Sequence, residues 1–290
     1  MTNYDILIPV YNDWKSLNKL LLKIDNNLKG MKGNFRVLII NDKSSEKPFF
    51  NLKNIKIIRK VSILNLKKNF GSQGAIAAAL NYLFKSKKKT IISIIDADGE
   101  DDPNQIKKMI KSAKTHSEKI IVSNRSKRSE ILIFKILYKI HLLITFFLTN
   151  KWITFGNFSS FDSKNLKNLL RNNYVWISYS SAVIKNCTIS NLYAARKKRY
   201  FGNSKVSFFK LFLHSLKILS VFQLKIALNT AIIILLLFLL GNFLNYVILK
   251  MIIFLLIIIN FLIICIRFSF LLREKDYKFS QIKNIEVIKN

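Results

Sequence analysis

With 290 residues, half of them apolar, the chain can bury the core of one large domain or two small ones. Its formal net charge of +32, with 48 basic residues against 16 acids, calls for an anionic partner, either nucleic acid or an anionic membrane. The sequence has no zinc-finger spacing or basic-heptad pattern for nucleic acid and no GxGxxG or Walker loop for ordinary dinucleotide or ATPase binding, and Cys187 and Cys265 are too few for a disulfide framework.

Met1 to Val10 carries Asp5 and lacks a basic start and a cleavage site, so it is expected to be a strand and no signal peptide, with the bulk of the chain in the cytoplasm. The strand, Tyr4 to Val10, runs into Pro9-Val10-Tyr11-Asn12-Asp13. Helical periodicity follows from Trp14 to Leu28. A continuous apolar strand, Phe35 to Ile40, ends in Asn41-Asp42-Lys43-Ser44, and Ile55 to Ile58 and Ser62 to Leu66 read as short strands. Asn69-Phe70-Gly71-Ser72-Gln73-Gly74 turns into an Ala-rich helix, Ala75 to Phe84, whose small side chains suit close packing on a sheet. Thr90 to Ile95 is a strand, Gln105 to Thr115 a helix, and Lys119 to Ser123 another strand. Unbroken apolar strands alternating with helices predict an α/β fold with a parallel sheet covered on both faces.

The run Asp96-Ala97-Asp98-Gly99-Glu100-Asp101-Asp102-Pro103 puts four Asp and one Glu within seven residues of an acid-poor chain. Carboxylate oxygens are the ligands Mg²⁺ and Mn²⁺ prefer, and such a metal can clamp a diphosphate. A capped, solvated turn explains the same residues. Ligands of such sheets bind beyond the carboxyl ends of the strands. Three polar clusters, Pro9 to Asp13, Asp42 and Asp96 to Glu100, converge on that rim and favour the metal reading.

Further on, Glu130 to Thr149 is apolar but broken by Lys135, Lys139 and His141. It predicts a helix in the membrane interface, with a third span as the alternative. Phe208 to Phe222 has the same character. Ile153 to Asp162 contains Gly156-Asn157-Phe158, and Tyr174 to Ile189 reads as mixed strand and turn. Lys185 to Lys217 holds eight basic residues and no acid, and Arg196 to Lys205 within it suits either a lipid surface or a diphosphate. From Ile226 to Leu272 the chain is almost unbroken apolar sequence, long enough for two spans at 226–246 and 251–272 joined by a tight turn near Asn245 to Lys250. The expected layout is a core at 1–129, an acceptor-side part at 130–225 with interface helices at 130–149 and 205–224, a two-helix hairpin at 226–272, and a cytoplasmic tail at 273–290.

Five motifs in order give a resemblance. Ile8-Pro9-Val10-Tyr11-Asn12-Asp13, Asn41-Asp42-Lys43-Ser44, Asn69-Phe70-Gly71 through Leu80, Asp96 through Pro103, and Arg199-x-x-Gly202-x-Ser204-Lys205 together resemble family 2 glycosyltransferases of the GT-A fold. More narrowly the chain is similar to the polyprenyl-phosphate glycosyltransferases, such as dolichol-phosphate mannose synthase and bacterial undecaprenyl-phosphate transferases. The resemblance implies a Rossmann-like, mostly parallel sheet with interface helices and a C-terminal membrane hairpin. It further implies that Pro9, Tyr11, Asp13 and Asp42 hold the nucleoside and that Asp96, Ala97 and Asp98 border the nucleotide. Asp98 and Glu100 would hold Mg²⁺ or Mn²⁺, and Arg125, Arg199 and Lys205 would contact phosphates.

The sequence departs from the family at Asn41, at Glu100 and at Asn157, where many relatives carry an acid that is a candidate base. Asn cannot take a proton. A phosphomonoester acceptor, with a second pKa of about 6, is largely ionised at pH 7 and needs no base. Asn157 is then a positioning candidate beside Asp96 and Asp98, and Asp162 is a substitute candidate for the base. The expected activity is inverting transfer of a sugar from a UDP- or GDP-sugar to polyprenyl phosphate at the cytoplasmic face of a bacterial-type inner membrane, without nucleic acid. Alternatives are a lipid-linked saccharide or polysaccharide acceptor, or an inactive nucleotide-sugar binder. A homo-oligomer stays open, since the spans show no small-xxx-small seam.

Overall fold

A computed structural model describes residues 1–125, 132–202, 208–239, 246–272 and 281–290. The chain divides into two compact units. The first comprises Met1–Ser129, Thr154–Ser204 and Asp276–Asn290, and the second Glu130–Ile153 and Lys205–Lys275.

The first unit opens with β1 (Asn3–Val10), α1 (Trp14–Leu28), β2 (Asn34–Asn41), β3 (Ile58–Leu66), α2 (Gly71–Ser86), β4 (Ile91–Ile94), α3 (Ile106–Thr115) and β5 (Ile120–Arg125). The chain then makes α4 (Leu132–Thr149) in the second unit and returns as β6 (Phe155–Asp162), α5 (Leu166–Leu169), α6 (Tyr179–Asn186) and β7 (Ile189–Ala194). The second unit continues with α7 (Phe208–Ser220), α8 (Gln223–Leu239) and α9 (Tyr246–Leu272), and the chain ends in the first unit with β8 (Ile282–Lys289).

The eight strands form one sheet in the order β7-β5-β6-β4-β1-β2-β3-β8. Side chains alternate across each strand, so β1 feeds two cores. Ile6, Ile8 and Val10 pack with α1 and α3 on one face, while Leu7 packs with Ala75 to Leu80 of α2 and with α6 on the other. Burial on both faces explains why β1 and β2 read as unbroken apolar runs. The register of β1 on β2, Val10 opposite Asn41, brings both carboxyl ends to one rim, and β4 joins β1 in parallel beside them.

The sheet is mixed rather than wholly parallel. β6 runs antiparallel between β4 and β5, pairing Ile94 with Ser159 and Val122 with Ser159. Its small polar residues are matched across the ladder, where the buried hydroxyls of Ser93 and Ser160 lie 2.7 Å apart. The two short strands expected at 55–58 and 62–66 are a single strand from Ile58. The residues before it are held by the buried carboxylate of Asp25, which accepts from the N–H groups of Lys56, Ile57 and Ile58 at 2.8–3.0 Å. Residues 174–189, expected as strand and turn, are largely helical, because Ser178 caps α6 by accepting from Ser181 N. The C-terminal stretch expected as a tail holds β8, antiparallel to β3 and fastened by Asn65 Nδ2 donating to Glu286 and by Lys289 Nζ donating to the carbonyls of Ile55 and Ile58.

In the second unit polar side chains stitch apolar helices together. Asn229 Nδ2 donates to the Leu148 carbonyl at 2.9 Å, and Asn260 Nδ2 donates to Thr230 Oγ1 at 3.1 Å. The 27-residue α9, with a mean hydropathy of 3.1 in its most apolar window, is long and apolar enough to cross a membrane. The 17-residue α8 meets that test only jointly with α7, from which it turns by 91°. Tyr246–Lys250, expected as a turn, are helical, and 240–245 lie outside the described residues.

Candidate active site

The rim is built at the ends of β1, β2 and β4. Pro9 is buried within β1, opposite Ile40, and Tyr11 just beyond it is 52% exposed. Asn12 takes a positive φ of 50° and ties the β1 end to the loop after β2. Its Oδ1 accepts from the N–H groups of Ser45 and Glu46, and its own N–H donates to Ser44 Oγ at 3.0 Å.

Asp42, only 3% exposed, donates its N–H to the Val10 carbonyl, and its carboxylate accepts from Phe70 N at 2.7 Å at the start of α2. Burial pushes its pKa from 3.8 up to about 6, against the pull of the Phe70 and Gly71 N–H groups. Asp42 therefore anchors the Ala-rich helix to the rim.

The acidic loop after β4 lies against the segment Arg196 to Tyr200. Arg196 pairs with Glu100, and Lys197 Nζ stands 3.3 Å from Asp102. Arg199 lies between two carboxylates, with Nη1 3.4 Å from Asp98 and Nη2 3.2 Å from Asp13. Main chain fastens the same contact, since Lys197 N donates to the Glu100 carbonyl and Tyr200 N to that of Asp98. Gly99 is required here twice over. Its φ is +83°, and a Cβ on it would run into the Tyr200 ring. Lys19 and Lys23 of α1 approach the Tyr200 ring at 5.0 and 4.7 Å.

Burial raises the Asp98 carboxyl above the usual carboxylate range. The nearby Glu100 charge adds to that, while the Glu100 N–H and the guanidiniums of Arg199 and Arg196 oppose it. Nε of Arg199 is buried and has no hydrogen-bond partner among the described residues.

A third group surrounds Asp96. Asn157 Nδ2 donates to both Asp96 oxygens, at 3.0 and 3.2 Å. Gln73 Nε2 donates to Asn157 Oδ1 at 3.1 Å, and Tyr179 N donates to Gln73 Oε1 at 2.6 Å. Ala97, between the two aspartates, is buried.

Asp13, Asp98 and Glu100 thus share one ion-pair network with Arg196 and Arg199, Asp96 meets Asn157, and Asp42 closes the rim on the α2 side. Asp162 does not join them. It lies at the far end of β6, opposite Ile91, and its carboxylate caps the next turn by accepting from Lys164 N, which rules it out as the substitute base. Arg125 ends β5 opposite Ala194, with its side chain outside the described portion, and Lys205 lies outside the described residues. Arg196 and Tyr200 stand in the basic run, and Asn12 and Gln73 in the strand-end and turn motifs, but the sequence gives none of the four a site role of its own. The basic run signalled Arg196, but nothing in the sequence paired it with Glu100.

Asp98 and Glu100 offer the hard oxygen donors that Mg²⁺ and Mn²⁺ take, and Arg199 already places a cation between Asp98 and Asp13. These two carboxylates suit such an ion by their chemistry but are an incomplete donor set for it, and each is paired with a guanidinium. Among the described residues no three His, Cys, Asp or Glu side chains group to hold a metal. A metal here would need ligands from a diphosphate and water, as Mg²⁺ ordinarily does.

Residues 5–170 match the family described as "Glycosyl transferase family 2". The chain is 31% identical over 133 residues to the uncharacterized glycosyltransferase YkcC of Bacillus subtilis, covering 46% of this chain and 40% of the relative. It is 25% identical over 217 residues to the undecaprenyl-phosphate 4-deoxy-4-formamido-L-arabinose transferase of Photorhabdus laumondii, covering 71% of this chain and 63% of the relative. In both cases it spans less than two thirds of the relative's length. Among solved structures it superposes on glucosyl-3-phosphoglycerate synthase of Mycobacterium tuberculosis, determined with Mn²⁺, UDP and phosphoglyceric acid, with a TM-score of 0.51 at 11% identity, over 78% of each chain. That likeness shows a GT-A-like fold.

Proposed function

Because the chain belongs to glycosyl transferase family 2, we propose that it is a membrane-bound transferase moving a sugar from a UDP- or GDP-sugar to polyprenyl phosphate, with inversion. The observation that carries this reading is Arg199, set between Asp13 and Asp98 at the strand ends, whose Nε has no hydrogen-bond partner among the described residues. A diphosphate oxygen is the acceptor that fits a guanidinium there. Likeness to the undecaprenyl-phosphate transferase of Photorhabdus laumondii supports the lipid acceptor.

In this reading the residues divide the work. Pro9, Tyr11, Asp13 and the rim held by Asp42 receive the nucleoside. Asp96 and Ala97 border the sugar-bearing diphosphate, and Asp98 and Glu100 hold Mg²⁺ or Mn²⁺. A bound divalent ion would neutralise charge on the departing nucleoside diphosphate. Arg199 supplies a second positive charge at the same place, with Arg125 and Lys205 as further phosphate partners. Asn157, locked to Asp96, orients it and takes no proton. The acceptor phosphate, ionised above its second pKa of about 6, attacks without a protein base.

Connectivity constrains the membrane reading. The chain leaves the first unit after Ser129 and returns at Thr154, then leaves after Ser204 and returns at Asp276. β6 and β8 pair into the same sheet as β1–β5, so each excursion must cross a membrane an even number of times. The excursion through 130–153 contains the single helix α4, which suits an interfacial position better than a span. If α9 spans, a second crossing must come before it, and α8 supplies the apolar length, somewhat short of the usual 20 residues or so.

Membranes holding the chain, incubated with labelled UDP- and GDP-sugars and undecaprenyl phosphate, test the reading. Label extracted with the lipid supports it. Label found only in a larger glycan shifts the acceptor, and nucleotide binding without transfer from any donor overturns the enzymatic assignment.

A further inference from the structure

The hydrogen bonds around Asp96 have a direction that can be fixed from one end. A main-chain N–H can only donate, so the atom of Gln73 that meets Tyr179 N at 2.6 Å must be the carbonyl oxygen. The other end of that amide, Nε2, is then the donor toward Asn157, and the atom of Asn157 facing it at 3.1 Å must be Oδ1. Asn157 is left with Nδ2 turned to Asp96, within 3.0 and 3.2 Å of its two oxygens. The same tyrosine closes the chain from the other side. Its fully buried hydroxyl is 2.6 Å from Ser159 Oγ, which donates to the Asn157 carbonyl at 3.0 Å. Side chain and main chain of Asn157 are thus both referred to Tyr179, a residue packed in the core against α2.

We propose that Gln73 is a positioning residue for the transfer reaction: it sets the orientation of the Asn157 amide, and through it presents a hydrogen-bond donor to Asp96. The inference rests on the glycosyltransferase reading above. It explains how the chain uses Asn at a position where an acid would oppose Asp96. Two carboxylates in that contact would repel, and one would be driven to protonate. An amide turned by Gln73 instead offers Asp96 a donor and fixes where its oxygens point.

Gln73→Glu separates positioning from packing, because it changes an NH₂ to an oxygen with almost no change in volume. The Tyr179 N–H still finds an acceptor, but the second oxygen now faces Asn157 Oδ1. The Asn157 amide must rotate to donate to the introduced carboxylate, which turns Oδ1 toward Asp96. Release of nucleoside diphosphate in acceptor-containing membranes is the readout. The expected result is a fall in kcat of at least tenfold with the donor KM changed less than threefold. In an Asn157→Ala background the same change at 73 is expected to have less than a twofold further effect, because the route to Asp96 is already broken. Losses that multiply in the double variant, or a Gln73→Glu chain as active as its parent, would overturn the proposal. A second readout needs no turnover. The side-chain amide ¹H–¹⁵N signal of Asn157, identified by its disappearance in Asn157→Ala, is expected to move in Gln73→Glu, and an unmoved signal contradicts the proposal. A parent chain that releases no nucleoside diphosphate while the Asn157 signal moves as expected counts against the functional reading and leaves standing only that Gln73 orients the Asn157 amide.

Discussion

Asp98 is the residue on which most of the site's charge converges. Its carboxylate touches Arg199, its Oδ1 accepts from the Glu100 N–H at 3.0 Å, and burial makes its ionised form depend on those partners. Asp98→Ala is therefore expected to lower transfer at least a thousandfold while leaving the fold intact, checked by initial rates beside a thermal melt. Glu100 pairs outward with Arg196, so Glu100→Gln is expected to keep transfer within about threefold and to change the ratio of Mg²⁺- to Mn²⁺-supported rates. Asp42 gives a prediction about stability. Its folded pKa, about 6, lies above its ordinary 3.8, so the stability it lends is full below pH 4 and is lost as pH rises through 6. Relative to Asp42→Asn, the parent chain should lose up to ~3 kcal/mol of stability across that window, read from melts at pH 4 and pH 7. An unchanged difference between the two chains contradicts the assignment. Asp13, Asp42, Asp96 and Asp98 were legible because acids are scarce in this sequence and these stand at strand ends. Gln73 and Arg196 were not, because their partners Asn157 and Glu100 lie 84 and 96 residues away and no local pattern encodes those contacts.

At the scale of elements, the acidic loop and the basic segment behave as one piece. Gly99→Ala would strain a left-handed turn by about 1–2 kcal/mol and push Tyr200 aside. Trypsin is then expected to cut at Arg196 to Arg199 several-fold faster than in the parent chain, and equal rates would show that the segment does not depend on Gly99. β8 guards the edge of β3. Removing residues 281–290 leaves that edge open, and a fall of several degrees in Tm with concentration-dependent aggregation is expected. α1 and α3 were readable from periodicity because each has one buried face, and β1 and β2 from unbroken apolar runs because they are buried on both faces. α6 was not, since Ser-rich sequence offers little period and its start is fixed by a serine cap. β8 was not, since most of its residues are exposed and its strand form comes from hydrogen bonding to β3.

For the whole molecule, connectivity constrains the membrane reading more tightly than hydropathy does. A sheet assembled from segments on either side of two apolar excursions requires paired crossings or none. Single cysteines placed at Asn3 and Asn290 in a chain lacking Cys187 and Cys265 should be labelled from the same side of sealed vesicles. Labelling from opposite sides would contradict the even count. The central claim is chemical, and its most direct measurement is the sugar recovered in the lipid extract when membranes holding the parent chain or Asp98→Ala receive labelled nucleotide sugar and polyprenyl phosphate. The account predicts metal-dependent lipid label of inverted anomeric configuration with the parent chain and none above background with Asp98→Ala. Equal label from both chains, or lipid label with retained configuration, would contradict it.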